Sequence, residues 1–250
     1  SPLLFIVAML PLTMVLKRED LGYLFGREKK KMNHLLFMDD LKLYARNEAG
    51  LEQLSDIVHQ YSTDIRMEFG IKKCAVLVLD QGRVKKSEGI VLPDGQLVKE
   101  VDDEGYRYLG VLEYDNIMMK EMKLLVRNEY LRRVGLVARS KLYAGNLMKA
   151  VNVWAVSVVR YTAGVLDWTD AELKKMDVKT RKTLCVNGAH HMNSSVPRLY
   201  MKRKVGGRGL MSVTQCVRSE EMGMREYVMA SDEWMLKVVA GSGTVGGGDG

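Results

Sequence analysis

Proline is scarce in this chain of 250 residues, four in all, and cysteine is scarcer at three. So little proline excludes polyproline-rich and collagen-like architectures. Cys74, Cys185 and Cys216 are odd in number and far apart, which excludes a disulfide framework and a zinc-ligand spacing and leaves reduced, mostly buried thiols. Long apolar runs are missing too. Residues 3–16 are apolar apart from Thr13, but the run contains Pro11, lacks a basic leader and falls short of the roughly 20 residues of a membrane span. It is expected to be a buried helix, with no membrane among the partners and an intracellular location. The last scarcity is local: residues 116–209 hold only 6 Asp and Glu against 19 Lys and Arg.

That excess is the strongest feature of the composition. Residues 1–115 carry 16 Lys and Arg against 19 Asp and Glu, and residues 210–250 carry 3 against 6, so the formal net charge of +7 arises in the middle block. Ordinary surfaces intersperse both signs. A block so one-sided suits a polyanion, and phosphate backbones bind such blocks with a strength that depends on salt rather than sequence. With 47% hydrophobic residues the chain can bury a sizeable core, as one large domain or two small ones.

Periodicity divides the chain into two textures. A first helix over 2–16 leads into a charged, Gly-containing loop and then a hairpin near residue 40. Leu51, Leu54, Ile57, Val58, Tyr61 and Ile65 predict an amphipathic helix over 49–67 packed on a sheet, with Gly70 ending the helical region. Cys74 to Leu79 reads as a strand, and Pro93-Asp94-Gly95 as a turn joining 89–92 to 96–98. From Ile117 the pattern is helical: 117–142, 145–163 and 169–186, the last opened by a Thr169/Glu172 capping box. The second of these, with Val151, Trp154, Val158, Val159 and Tyr161, is expected at the buried centre of a bundle. The fold class is therefore α+β: an antiparallel sheet with helices, followed by a helical bundle. Residues 241–250, GSGTVGGGDG, read as a disordered tail.

The chemistry-bearing segment is His34 to Arg46, HLLFMDDLKLYAR. Adjacent Asp39 and Asp40 fall between two apolar-rich runs, the second of which alternates Leu41, Leu43 and Ala45 with Lys42 and Tyr44. This predicts a tight hairpin with paired carboxylates at its tip. Like charges held together repel, and hard oxygens suit Mg²⁺, with Mn²⁺ as a substitute. An Asp-Asp turn without a ligand fits the same residues. His190-His191 is assigned no role, because adjacent side chains rarely face one ion.

Taken in order, Ser1-Pro2-Leu3-Leu4-Phe5, Phe37-Met38-Asp39-Asp40, Lys73-Cys74 and Tyr108-Leu109-Gly110 resemble the late palm motifs of the reverse transcriptases of LINE-like (non-LTR) retrotransposons. Arg198-Leu199-Tyr200 and Gly206-Gly207-Arg208-Gly209-Leu210 are similar to a stretch beyond the thumb in those proteins. Met38 stands where the family more often has Ala. The resemblance implies a partial polymerase palm over 1–115, a helical thumb and following segment over 116–212, and a C-terminal extension over 213–250. It implies an RNA-directed DNA polymerase that extends a primer 3′-hydroxyl with dNTPs on an RNA template, in the nucleus.

The residue roles implied are specific. Asp39 and Asp40 would be the catalytic metal ligands, with Asp39 the shared one. Lys73 would protonate the pyrophosphate leaving group, although Lys72 competes for that position and a strand-edge lysine reads equally well. Tyr106 and Tyr108 would support the primer end, and Arg127, Arg132, Arg133 and Lys141 would hold the template–primer duplex. Phe37 is expected to fill space beneath the acids. The family's Gln-Gly, its fingers and a further metal-binding Asp precede the point at which this sequence starts, so the chain alone is expected not to polymerise. The alternative is a non-catalytic nucleic-acid-binding remnant of a retroelement.

Overall fold

The computed structural model describes residues 2–26, 29–67 and 70–241, so Ser1 of the first motif and nearly all of the Gly-rich tail lie outside the described residues. The chain is α+β and folds as two compact units, Ser1–Met118 and Met119–Gly250. Among the described residues no helix is long and apolar enough to cross a membrane.

The first unit is built on α1 (Pro2–Arg18) and α2 (Glu48–Asp64). Met9, Leu12 and Leu16 recur at helical spacing and form a core with Leu54 and Val58. The expectation of a buried α1 is met on that stripe only: Leu3, Leu4, Val7, Leu10 and Met14 on its remaining surface are exposed. Asn47 caps α2, its side chain accepting from Gly50 N at 2.8 Å. The helix ends at Asp64, ahead of the expected stop at Gly70, because Arg66 turns left-handed (φ 59°). Arg66 N then bonds Thr63 O and Met67 N bonds Ser62 O, the pair of bonds that closes a helix C-terminus.

Strands in this unit pair only in twos among the described residues. These are β1 (Tyr23–Phe25) with β2 (Lys30–Met32), β3 (His34–Phe37) with β4 (Asp40–Leu43), β5 (Val78–Asp80) with β6 (Arg83–Lys85), β7 (Ile90–Val91) with β8 (Leu97–Val98), and β9 (Tyr106–Tyr108) with β10 (Val111–Glu113). The expected single sheet is thus a set of short hairpins. The strand expected over 74–79 forms only in part, as a Val76–Glu100 bridge and the short β5, and the chain enters it through a 3₁₀ turn at Ile71–Lys73. Spacing explains it: Ile71 and Cys74, three apart, both pack on the small core of Val76, Ile90, Leu92 and Val98, while Lys72 and Lys73 remain in water.

The second unit is helical: α3 (Met119–Arg139), α4 (Ala144–Ala150), a π-helical turn (Val151–Ala155), α5 (Val156–Thr162), α6 (Asp170–Val186), α7 (Val196–Tyr200), α8 (Val213–Ala230) and α9 (Trp234–Gly241). The capping box of α6 is present, with Glu172 Oε2 accepting from Thr169 N at 2.9 Å. Val151, Ala155, Val156 and Val159 are fully buried, but Val153, Trp154 and Tyr161 of the same helical stretch are exposed, so it presents one face to solvent rather than filling the centre. The centre includes Tyr130, whose hydroxyl meets Thr180 Oγ1 at 2.8 Å. Asp177, buried on α6, accepts from Val213 N (2.9 Å), Thr214 N (3.2 Å), Ser212 Oγ (2.8 Å) and Thr214 Oγ1 (2.9 Å), placing a carboxylate at the N-terminus of α8.

Candidate active site

The β3–β4 hairpin positions the acids. Its register pairs Phe37 with Asp40, Leu36 with Leu41, Leu35 with Lys42 and His34 with Leu43, leaving Met38 and Asp39 as a two-residue turn. Side chains alternate across the pleat. Leu36, Leu41 and Leu43 pack on the α1–α2 core, so Asp40, Lys42 and Tyr44 share the opposite face. Met38 has φ 54°, a left-handed backbone at the turn. Phe37 is 57% exposed and does not fill space beneath the acids; paired with Asp40, it projects on the face turned away from the core.

The β9–β10 hairpin meets that face. It turns tightly through Leu109 (φ 46°) and Gly110 (φ 78°), with Tyr106 opposite Glu113 and Tyr108 opposite Val111. Glu113 Oε1 accepts a hydrogen bond from Lys42 Nζ. The same ammonium lies 5.1 Å from the ring centroid of Tyr108 and 5.8 Å from that of Tyr44. The charge of Asp40 acts on the hydroxyls of both Tyr106 and Tyr108.

Electrostatics keep these phenols neutral. Burial, followed by the charge of Glu113, pushes Tyr44 up to about 12. Tyr108 is pushed up to about 12 by burial first, then by Tyr44, Asp40 and Glu113. Tyr106 is raised by burial, then by Cys74, Asp40 and Glu113. Three neutral hydroxyls, one cation and two exposed carboxylates therefore belong to two hairpins that meet. Such a surface can offer hard oxygens to a divalent cation and hydrogen-bond donors to a phosphate or sugar.

The donor set suits a hard metal in part. Asp39 and Asp40 are exposed, and neither is committed to an ion pair or a side-chain hydrogen bond among the described residues. They would supply two carboxylate ligands. Among the described residues no group of three or more His, Cys, Asp or Glu side chains converges to hold an ion.

The other residues singled out by sequence are dispersed. Lys73 is exposed on the 3₁₀ turn, while its neighbour Cys74 packs on the core of Val76, Ile90, Leu92 and Val98. Arg127, Arg132, Arg133 and Lys141 belong to the second unit. Both Arg132 and Arg133 bond the single carboxylate of Glu129, at 2.6–2.8 Å, and the two guanidiniums hold that acid down to about 2. Arg133 also donates to Trp154 O and lies 5.1 Å from the Trp154 ring centroid. Arg127 Nε is buried with no hydrogen-bond partner among the described residues, and Lys141 is exposed. His190 is buried and His191 exposed, so the two share no site.

Sequence reasoning overlooked Lys42, Tyr44 and Glu113. A signal for the first two exists in the alternation, since residues 40, 42 and 44 must share a strand face. Glu113 has none, being brought in by a second hairpin about 70 residues away.

Compared with models of known families and with curated proteins, the sequence matches none.

Proposed function

We propose that this chain is the palm and thumb part of an RNA-directed DNA polymerase of the non-LTR retrotransposon type. The observation that carries the reading is that the hairpin bearing Asp39 and Asp40 meets the hairpin bearing Tyr106 and Tyr108, Lys42 reaching both Glu113 and the Tyr108 ring, so that two motifs more than sixty positions apart, which the resemblance assigns to one active centre, lie side by side. In the complete enzyme a primer 3′-hydroxyl attacks the α-phosphate of a deoxynucleoside triphosphate and pyrophosphate leaves. Magnesium, when bound, supplies charge stabilisation for the entering and leaving oxygens. Asp39 and Asp40 would hold it from the hairpin tip, and Tyr106 and Tyr108 would support the primer end.

The reading is tested by metal binding before catalysis. Titrating the chain with Mn²⁺, followed by electron paramagnetic resonance, should show a site that Asp39→Asn weakens at least ~10-fold without changing the circular dichroism spectrum. An unchanged titration would remove Asp39 from the metal site. Primer extension on an RNA template, with a longer polypeptide that supplies a further carboxylate, then separates a polymerase from a remnant that binds nucleic acid without extending it.

A further inference from the structure

The charge of the second unit is unevenly committed. Arg132 and Arg133 share Glu129, Lys123 pairs with Glu172 at 2.9 Å, Arg160 with Glu220 at 2.9 Å, and Arg218 with both Asp170 and Glu221. Residues 174–208 differ: they hold ten Lys and Arg and a single acid, Asp177. That acid is buried and occupied with the start of α8. Among the described residues none of the ten cations makes an ion pair.

Within this segment arginine and lysine divide the work. Arg181 Nη1 donates to Tyr200 OH (3.0 Å), Arg198 Nε to Gly206 O (3.1 Å), and Arg208 Nη1 to Ala189 O (2.7 Å), while Arg203 donates to Gly145 O. These bonds pin the hook formed by residues 198–210 to the C-terminal half of α6 and to α4. Backbone bonds Arg208 N to Arg198 O (2.9 Å) and Leu210 N to Leu199 O (3.0 Å) close it. Gly207 approaches so tightly that an added Cβ would lie 2.0 Å from Met201 O, and Gly206 turns at φ 82°. The Gly-Gly-Arg-Gly-Leu motif is thereby explained as the clasp of the hook. Among the described residues the lysine side chains take no part in it: Lys175, Lys179, Lys182, Lys202 and Lys204 are all exposed.

On α6, Lys175, Lys179 and Lys182 recur at i, i+4 and i+7, a stripe rising ~10 Å along the helix, about three 3.4 Å steps of a nucleic-acid strand. The opposite face of α6 is spent in the core through Leu173, Met176 and Leu184, so the helix has no broad apolar face with which to enter a lipid surface. Buried His190 registers the same concentration of positive charge: burial first, then Arg208 and Arg181, hold its imidazole below the ordinary range.

We propose that the lysine face of α6 together with the Lys202/Lys204 tip of the hook is the surface on which this unit holds a nucleic-acid backbone. This rests on the polymerase reading and relocates its phosphate contacts away from Arg132 and Arg133. Among the described residues these lysine side chains have no partner and their charge is uncommitted, whereas Arg132 and Arg133 already share the carboxylate of Glu129, which cancels half of their charge.

The test uses the full chain and an RNA–DNA hybrid duplex, with affinity measured by fluorescence anisotropy over a series of salt concentrations. A variant carrying Lys175→Gln, Lys179→Gln, Lys182→Gln and Lys204→Gln should bind at least ~10-fold more weakly, with the slope of log K against log salt flattened by about 4. Replacing the same four by Arg should preserve binding, which separates loss of charge from loss of fold. Arg132→Gln with Arg133→Gln should leave the slope unchanged. If the arginine variant loses binding and the lysine variant does not, or both lose it equally, the location is wrong while the nucleic-acid reading stands. If the unaltered chain ignores the duplex, the reading itself fails. If it prefers phosphatidylserine vesicles or polyglutamate, the surface serves another polyanion and the proposal is overturned.

Discussion

Met38 carries the backbone strain of the acidic tip. Its φ of 54° places a side chain with a Cβ in the left-handed region, which costs an L-residue about 1–2 kcal/mol, while its side chain is 42% exposed and adds little packing. Glycine removes the steric cost but loses roughly 0.5–1 kcal/mol of backbone entropy. Met38→Gly should therefore stabilise the chain by about 0.5 kcal/mol, read as a higher urea midpoint with an unchanged m-value. A lower midpoint would mean that the thioether makes a contact worth more than the strain. Asp39, next in the same turn, was legible as an exposed acid because two carboxylates between apolar runs can hardly point inwards. Phe37 was not legible, because an aromatic beside a turn reads as core until the register with Asp40 fixes which face it takes.

Hairpins dominate the next scale up, and their chemistry lies in which faces meet. The β3–β4 and β9–β10 pairs share the Lys42–Glu113 bond and three tyrosines whose ionisation the surroundings oppose. Tyr44 and Tyr108 are each held near 12 against an ordinary 10. A raised phenol favours its neutral form in the folded chain, so the stability it contributes is complete below pH 10, where both states are protonated. It is lost as pH rises from 10 through 12, where only the unfolded chain has ionised. Thermal melts of Tyr44→Phe and Tyr108→Phe should accordingly lose less Tm between pH 9 and pH 11 than the parent, and spectroscopic titration of the parent should show tyrosinate appearing late. Equal losses would mean that both phenols titrate normally. At this scale much could be read in advance. The capping box of α6, the α2 periodicity and the turn at Pro93-Asp94-Gly95 are local signals, and they produced α6, α2 and the β7–β8 hairpin. The strand expected at 74–79 is present only in part, as a Val76–Glu100 bridge and β5, because Cys74 and Val76 pack on a core formed by Ile90, Leu92 and Val98, later in the chain. Glu113 was invisible for the same reason, since no local pattern reports a partner about 70 residues away.

Taken whole, the molecule separates its charge between its two units. Residues 1–118 hold 16 Lys and Arg against 19 Asp and Glu, and residues 119–250 hold 22 against 12. The imbalance was plain in the sequence, but which cations are committed was not, because Glu129 serving two arginines and Asp177 serving the start of α8 are facts of packing. Ten cations within 174–208, with no ion pair among the described residues, repel one another, and that repulsion works against the unit that carries them. Salt relieves it: between about 0.1 M and 1 M NaCl the screening length falls from ~10 Å to ~3 Å, shorter than the spacing along the α6 stripe. The first unit has the opposite dependence where Lys42 attracts Glu113, since screening weakens an attraction. Hydrogen exchange followed by mass spectrometry should therefore show α6 and the hook gaining about 0.5 kcal/mol of protection across that range, while β3, β4, β9 and β10 gain none. A uniform gain in both units would mean that salt acts through apolar burial rather than charge. A duplex RNA–DNA hybrid at low salt should produce the same selective protection, because a bound phosphate backbone and a high salt concentration relieve the same repulsion.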